Sequence, residues 1–226
     1  KRHTSGDEND QNEKGAVHEK VLRENVDDLV LRGVKQPVVL AGEKDGVKDG
    51  VLDEKETKSF MQKIIEFAKA IDAKIEINLF YRTDERVEKI SELYKNHGYP
   101  EILGSLDDEI MYINEIKNPR ASASKTGIYS ADTVLVPLED GDRAEILSKS
   151  GKNIITIDLN PLSRTSKMSD VSIVDNVVRA IPFMTKIAGD LQSQDKELLK
   201  EMIKDFDNKT NLKESLDLFK IKEDVK

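Results

Sequence analysis

The chain contains no cysteine among its 226 residues, so it has no disulfide, no thiolate nucleophile and no cysteine-ligated metal. Its three histidines, His3, His18 and His97, have no second ligand at a spacing that would hold a metal. Without a thiol or a partnered histidine, nucleophilic acyl transfer is disfavoured. The lack of cysteine predicts an intracellular protein, and we expect it in the cytoplasm.

Long apolar runs and an excess of positive charge are also missing. No segment approaches the roughly 20 apolar residues that span a bilayer, and residues 1–15 have no apolar stretch typical of a secretory signal. The formal net charge of −8 argues against sequence-independent nucleic-acid binding, which needs a basic surface. We therefore expect no membrane and no nucleic-acid partner, although local arginines can still bind an anionic ligand such as ATP.

The remaining sequence alternates short apolar runs with amphipathic helical patterns. This alternation predicts an α/β protein with a Rossmann-like, mostly parallel sheet and flanking helices. Strands are expected at 37–41, 74–80, 133–137, 153–157 and 171–174, and helices at 16–31, 53–70, 84–96, 143–150 and 176–191. Residues 100–120 show mixed signals and no assignable pattern.

Three parts are expected along the chain: a loose polar tail at 1–15, a nucleotide-binding α/β domain at 16–191 and a C-terminal helical extension at 192–226. The extension carries two apolar faces at helical spacing. Leu198, Leu199, Met202, Ile203 and Phe206 form the first face, and Leu212, Leu216 and Phe219 form the second. We expect it to pack on the body or on a partner subunit.

Polar residues follow four of the expected strands, where an open parallel sheet binds its ligands. Asn78, Arg82 and Arg143 are candidates for holding an anionic substrate, because guanidinium groups pair with carboxylates and phosphates. The acidic stretch 139–142 is either a simple turn or a Mg²⁺ ligand set. The GxGxxG and GxxxxGK[ST] fingerprints are both missing, so the residues alone predict an anion site of unknown ligand.

Three long stretches carry a family resemblance. Ala73–Val87 contains NLFYRT, Gly127–Arg143 reads GIYSADTVLVPLEDGDR, and Ile157–Thr165 reads IDLNPLSRT and is followed by IVDNVVRA at 173–180. In these motifs the chain resembles archaeal 4-phosphopantoate–β-alanine ligase, also called phosphopantothenate synthetase, over roughly Pro37–Leu191.

The resemblance implies an ATP-dependent ligase of coenzyme A biosynthesis that joins 4-phosphopantoate to β-alanine through an acyl-adenylate and releases AMP and diphosphate. It also implies Mg²⁺ with the nucleotide and a homodimer, and it assigns no catalytic residue. The family's ATP contacts fall on Asp158, Leu159, Asn160, Arg164, Thr165, Asn176 and Val177. The family's GRGEAFDYLLGE stretch has no counterpart in Lys1–Val34, so a non-catalytic nucleotide-binding relative is the alternative hypothesis.

Overall fold

The computed structural model describes residues 38–41, 54–79, 81–137 and 141–220. The tail expected at 1–15 and the helix expected at 16–31 lie outside the described residues. The strands are β1 Val38–Ala41, β2 Lys74–Ile77, β3 Ile110–Tyr112, β4 Ser122–Ser124, β5 Thr133–Pro137, β6 Asn153–Ile157 and β7 Val171–Ile173. The helices are α1 Glu54–Ala70, α2 Asp84–Asn96, α3 Gly141–Lys149, α4 Arg164–Met168, α5 Val177–Leu191, α6 Lys196–Ile203 and α7 Asn208–Lys220.

Five strands form a parallel sheet in the order β2-β1-β5-β6-β7, which confirms the α/β class with a mostly parallel sheet and flanking helices. From β1 the chain moves outward to β2, and it then returns to add β5, β6 and β7 on the other side. The direction of winding therefore reverses between β1 and β5. In an open parallel sheet, such a reversal opens a crevice at the carboxyl ends of the strands.

Alternating side chains give the sheet two buried faces. On one face, Ile75, Ile77, Leu135, Ile155 and Ile157 pack with the apolar sides of α1 and α5. On the other face, Val134, Val136 and Ile154 pack with Leu147 of α3 and with the segment 113–131. The sheet is thus covered on both sides, which leaves its carboxyl edge as the place for a ligand.

The segment 100–120 contains local structure that the sequence does not predict. β3 and β4 form a short antiparallel hairpin, and single turns of 3₁₀ helix cover Ile113–Glu115 and Pro119–Ala121. Asn114 and Glu115 have φ angles of 52° and 57°, in the left-handed region that few side chains adopt. These three-residue elements are too short to produce a hydrophobic period.

The two C-terminal helices pack against the body of the chain. Leu199 of α6 is buried with the core, whereas Leu198 of the expected apolar face is half exposed. Asn208, at the start of α7, donates to the carbonyl oxygens of Ser166 and Ser169, and its Oδ1 accepts from the Ser172 amide at 2.9 Å. One amide thus joins α7 to α4 and β7.

Within the described residues, no helix combines the length and the apolar character that a membrane crossing requires.

Candidate functional site

The sheet topology brings the candidate residues to one edge. Asn78 follows β2, Arg143 lies in the first turn of α3 after β5, Asp158 directly follows β6, and Asn176 lies three residues beyond β7. Because the five strands are parallel, all these positions lie at the carboxyl ends. The β6 and β7 ends are adjacent, and the Asp158 amide donates to the Ile173 carbonyl oxygen at 3.0 Å.

The loop from Asp158 to Ser163 holds its own shape through its polar side chains. Asp158 Oδ1 accepts from the Asn160 amide at 2.9 Å, and Asp158 Oδ2 accepts from the Ser163 hydroxyl at 2.6 Å. Asn160 Oδ1 accepts from the Leu162 amide at 2.9 Å. Leu159 and Leu162 are more than half exposed, so this loop presents two apolar side chains on a rigid frame.

Arg164, the first residue of α4, forms ion pairs with Asp142 and Glu145 of α3. Arg120 extends this network to Asp142 at 3.5 Å, and Lys149 pairs with Glu145 at 2.6 Å. Hydrogen bonds from Lys149 and Arg164 lower the pKa of Glu145, and the hydrogen bond to Glu145 raises the pKa of Arg164. Among the described residues, the network joins the three cations Arg120, Lys149 and Arg164 to the two carboxylates of Asp142 and Glu145.

Gly141 explains how Arg164 comes so close to α3. A Cβ atom placed on Gly141 would lie 2.7 Å from Cβ of Arg164, so any larger residue would push α3 and α4 apart. The sequence motif EDGDR thus contains a glycine that permits this approach.

Three other residues expected at the nucleotide, Thr165, Asn176 and Val177, are buried or hydrogen-bonded within the fold. Thr165 is buried in α4, and Val177 is buried at the start of α5. Asn176 is the N-cap of α5 and accepts from the Val178 amide at 2.9 Å. The buried Asp175 pairs with Arg179. The polar side chains after β7 therefore stabilise the chain at this edge of the sheet through their own hydrogen bonds and ion pair.

Asn78 and Arg143 approach one carbonyl oxygen, whereas the hydrogen bonds of Arg82 go to other carbonyl oxygens. Asn78 Nδ2 donates to the Ser122 carbonyl oxygen at 2.8 Å, and Arg143 Nη1 approaches the same oxygen at 3.5 Å. Asn78 and Arg143 are both buried. Arg82 instead donates to the carbonyl oxygens of Gly104 and Ser105, at 2.9 and 3.0 Å.

Glu76 is a buried carboxylate that the sequence pattern did not indicate. It lies in β2, is 1% exposed, and accepts from the amides of Ile128 at 2.7 Å and Ser124 at 2.9 Å and from Asn78 Nδ2 at 3.2 Å. Burial raises its pKa to about 7, although these hydrogen bonds and the nearby charge of Arg143 act to lower it. In the alternating run KIEINLF, a polar residue at this position reads as solvent-facing, and its partners lie about 50 residues away.

The part of the chain that the structure describes contains no group of three His, Asp or Glu side chains able to hold a metal ion. Of the acidic stretch 139–142 considered for Mg²⁺, Glu139 and Asp140 lie outside the described residues, and Asp142 is engaged by Arg120 and Arg164. Asp142 and Asp175 thus pair with arginines, whereas the carboxylate of Asp158 accepts hydrogen bonds from its own loop.

Comparison with known proteins shows which family and which relatives the chain resembles. The family described as phosphopantothenate/pantothenate synthetase matches residues 57–222, which includes every candidate residue. A 4-phosphopantoate–β-alanine ligase of Methanosarcina mazei is 49% identical over 154 residues, covering 68% of this chain and 60% of the relative.

Two further relatives have the same description. The ligase of Thermococcus kodakarensis is 46% identical over 158 residues, covering 67% of this chain and 58% of the relative. The ligase of Methanospirillum hungatei is 43% identical over 134 residues, covering 59% of this chain and 54% of the relative. The chain thus spans about three-fifths of the length of the curated relatives that it matches.

Proposed function

Because the chain belongs to the phosphopantothenate/pantothenate synthetase family, we propose that it carries 4-phosphopantoate–β-alanine ligase activity. The reaction would join 4-phosphopantoate and β-alanine, with ATP converted to AMP and diphosphate, as a step toward coenzyme A. The observation that carries the proposal is the family match over residues 57–222, which contains the carboxyl ends of β2, β5, β6 and β7, together with relatives that share this description at 43–49% identity.

The nucleotide site of this proposal is the loop 158–163 with the first turns of α4 and α5. A preshaped loop costs little ordering entropy when a ligand binds. The exposed Leu159 and Leu162 offer apolar contact for a base, and Arg164 supplies a guanidinium for phosphate oxygens. Asn176, as the cap of α5, fixes the edge next to the β6 loop.

In the first step, a carboxylate oxygen of 4-phosphopantoate attacks the α-phosphorus of ATP, and diphosphate leaves. In the second step, the β-alanine amine attacks the acyl carbon, loses a proton and displaces AMP. Neither step needs a protein nucleophile; both need two anions held in line and charge stabilised on the phosphate oxygens. Arg164 and Arg143 are the residues that we assign to these two anions, with Asn78 beside Arg143. Arg82 is a further candidate for the anionic substrate, and its Nη2 also donates to the carbonyl oxygens of Gly104 and Ser105.

Three further assignments belong to the same proposal. Mg²⁺ would enter with ATP as its counterion, the working form would be a homodimer, and the protein would act in the cytoplasm. A homodimer is consistent with the exposed apolar side chains Tyr112, Ile116 and Tyr129, which single-chain packing leaves at the surface.

The test is AMP formation by the purified chain with all combinations of ATP, 4-phosphopantoate and β-alanine. Full AMP release is expected only when all three are supplied, and Arg164→Ala should weaken ATP binding at least tenfold by calorimetry. Lys213→Ala, an exposed change in α7, is the matched control and should change nothing. ATP binding without turnover in any mixture would instead support the non-catalytic alternative.

A further inference from the structure

The amide of Asn78 is held in one orientation. Its Nδ2 group donates one hydrogen to the Ser122 carbonyl oxygen at 2.8 Å and the other to Glu76 Oε1 at 3.2 Å. Rotating the amide by half a turn would place Oδ1 against these two oxygen atoms, which repel it. Glu76 is itself fixed by the amides of Ser124 and Ile128. Oδ1 of Asn78 can therefore act only as an acceptor.

This acceptor is buried without a hydrogen-bond donor from the described part of the chain. Asn78 is 4% exposed, and it lies directly beyond β2 at the ligand-binding edge of the sheet. A buried polar atom that has lost water without gaining a donor is unfavourable, so such atoms are rare and call for an explanation. At this edge of the sheet, a donor brought by a ligand would supply the missing hydrogen bond.

The groups around Asn78 Oδ1 determine which kind of hydrogen-bond donor a ligand can bring to it. Arg143, whose Nη1 ends at the same Ser122 carbonyl oxygen, brings a buried positive charge next to Asn78. An ammonium group here would add a second positive charge, and the oxygens of Glu76 already accept three hydrogen bonds. A neutral hydroxyl adds no positive charge next to Arg143. A carboxylate on the same ligand is the natural partner of the Arg143 guanidinium.

We propose that Asn78 Oδ1 accepts a hydrogen bond from the hydroxyl of a 2-hydroxy carboxylate whose acid group is held by Arg143. The inference rests on the proposed function, because 4-phosphopantoate carries such a hydroxyl on the carbon next to its carboxylate. Asn78 is then a specificity-determining residue, since a site built to bond a hydroxyl rejects the analogue that lacks it. Glu76 acts through Asn78 and is a positioning residue.

The test compares 4-phosphopantoate with the same acid bearing hydrogen in place of the 2-hydroxyl, using kcat/KM at saturating ATP and β-alanine. The unaltered chain should prefer the hydroxy acid by at least about 100-fold. Asn78→Ala should reduce this preference to below about tenfold. Asn153→Ala removes a half-buried amide at the opposite edge of the sheet, and it should keep the full preference.

Equal use of the two acids by the unaltered chain would overturn the inference, and this result needs no variant to fold. A full preference retained by Asn78→Ala would overturn it as well. If the hydroxy acid gives no turnover, the proposed function fails, and calorimetric binding of the two acids then decides the inference separately. A preference in binding would support the Asn78 contact, and equal binding would contradict it.

Discussion

Replacing Gly127 by alanine tests the buried contact between β2 and the segment before β5. An added Cβ would lie 2.1 Å from Glu76 Oε2 and 3.1 Å from Leu103 Cδ1. Glu76 cannot withdraw freely, because the same Oε2 accepts from the Ile128 amide at 2.7 Å. The variant must therefore lose this hydrogen bond or displace the backbone.

The magnitude follows from these two costs. Overpacking a buried site costs about 1–3 kcal/mol, and a lost hydrogen bond to a buried carboxylate costs about 1.5–3 kcal/mol. Because the variant bears at least one of these costs, its free energy of unfolding should fall by at least about 1–3 kcal/mol. For a chain of this size, that corresponds to a decrease of roughly 2–12 °C in the unfolding midpoint.

Gly189 provides the matched control. It lies on the exposed side of α5, and a Cβ there would meet no atom within 4 Å. Gly189→Ala should raise the free energy of unfolding by about 0.5–1 kcal/mol, because alanine has the higher helix propensity. The assay is thermal and urea unfolding of both variants beside the unaltered chain. Equal stability of Gly127→Ala and the unaltered chain would refute the Glu76 contact.

Further expectations concern the pH response and two other contacts. Because the pKa of Glu76 is raised to about 7 from 4.5, the folded chain holds a proton that the unfolded chain releases between these values. Stability should thus fall by roughly 3 kcal/mol as pH rises from 4.5 to 7, and Glu76→Gln should lack this part of the slope in urea titrations. Asn208→Ala should cost about 2–4 kcal/mol of stability by the same assay, because it leaves several groups of α4 and β7 unpaired. Gly141→Ala should weaken calorimetric ATP binding at least tenfold with a smaller loss of stability, since it displaces Arg164; unchanged affinity would contradict the placement of Arg164 at the nucleotide.

The strands and long helices could be predicted because their signals are local. β5 (TVLVP) and β6 (NIITI) are β-branched runs whose observed bounds equal the expected ones. α4 was missed because five residues show no period, although Ser163 caps it. The hairpin of β3 and β4 was missed for the same reason.

The position of the candidate residues in the sheet could be predicted, whereas their hydrogen bonds could not. Parallel topology places Asp158 and Asn176 at one edge, which the order of strands and helices already indicates. A carboxylate or amide at this edge can bond either to a ligand or to its own loop, and the spacing of residues in the sequence does not decide between the two. Asp158 and Asn160 bond within the loop. Glu76 and Gly127 form a contact across 51 positions, so neither residue alone indicates it.

An ¹⁸O label tests most directly whether the carboxylate of 4-phosphopantoate attacks the α-phosphorus of ATP. 4-Phosphopantoate labelled with ¹⁸O in its carboxylate is incubated with the chain, ATP, Mg²⁺ and β-alanine, and the AMP is analysed by mass spectrometry. Attack of the carboxylate on the α-phosphorus predicts one ¹⁸O atom in each AMP molecule. AMP without the label, or ADP as the nucleotide product, would contradict the account.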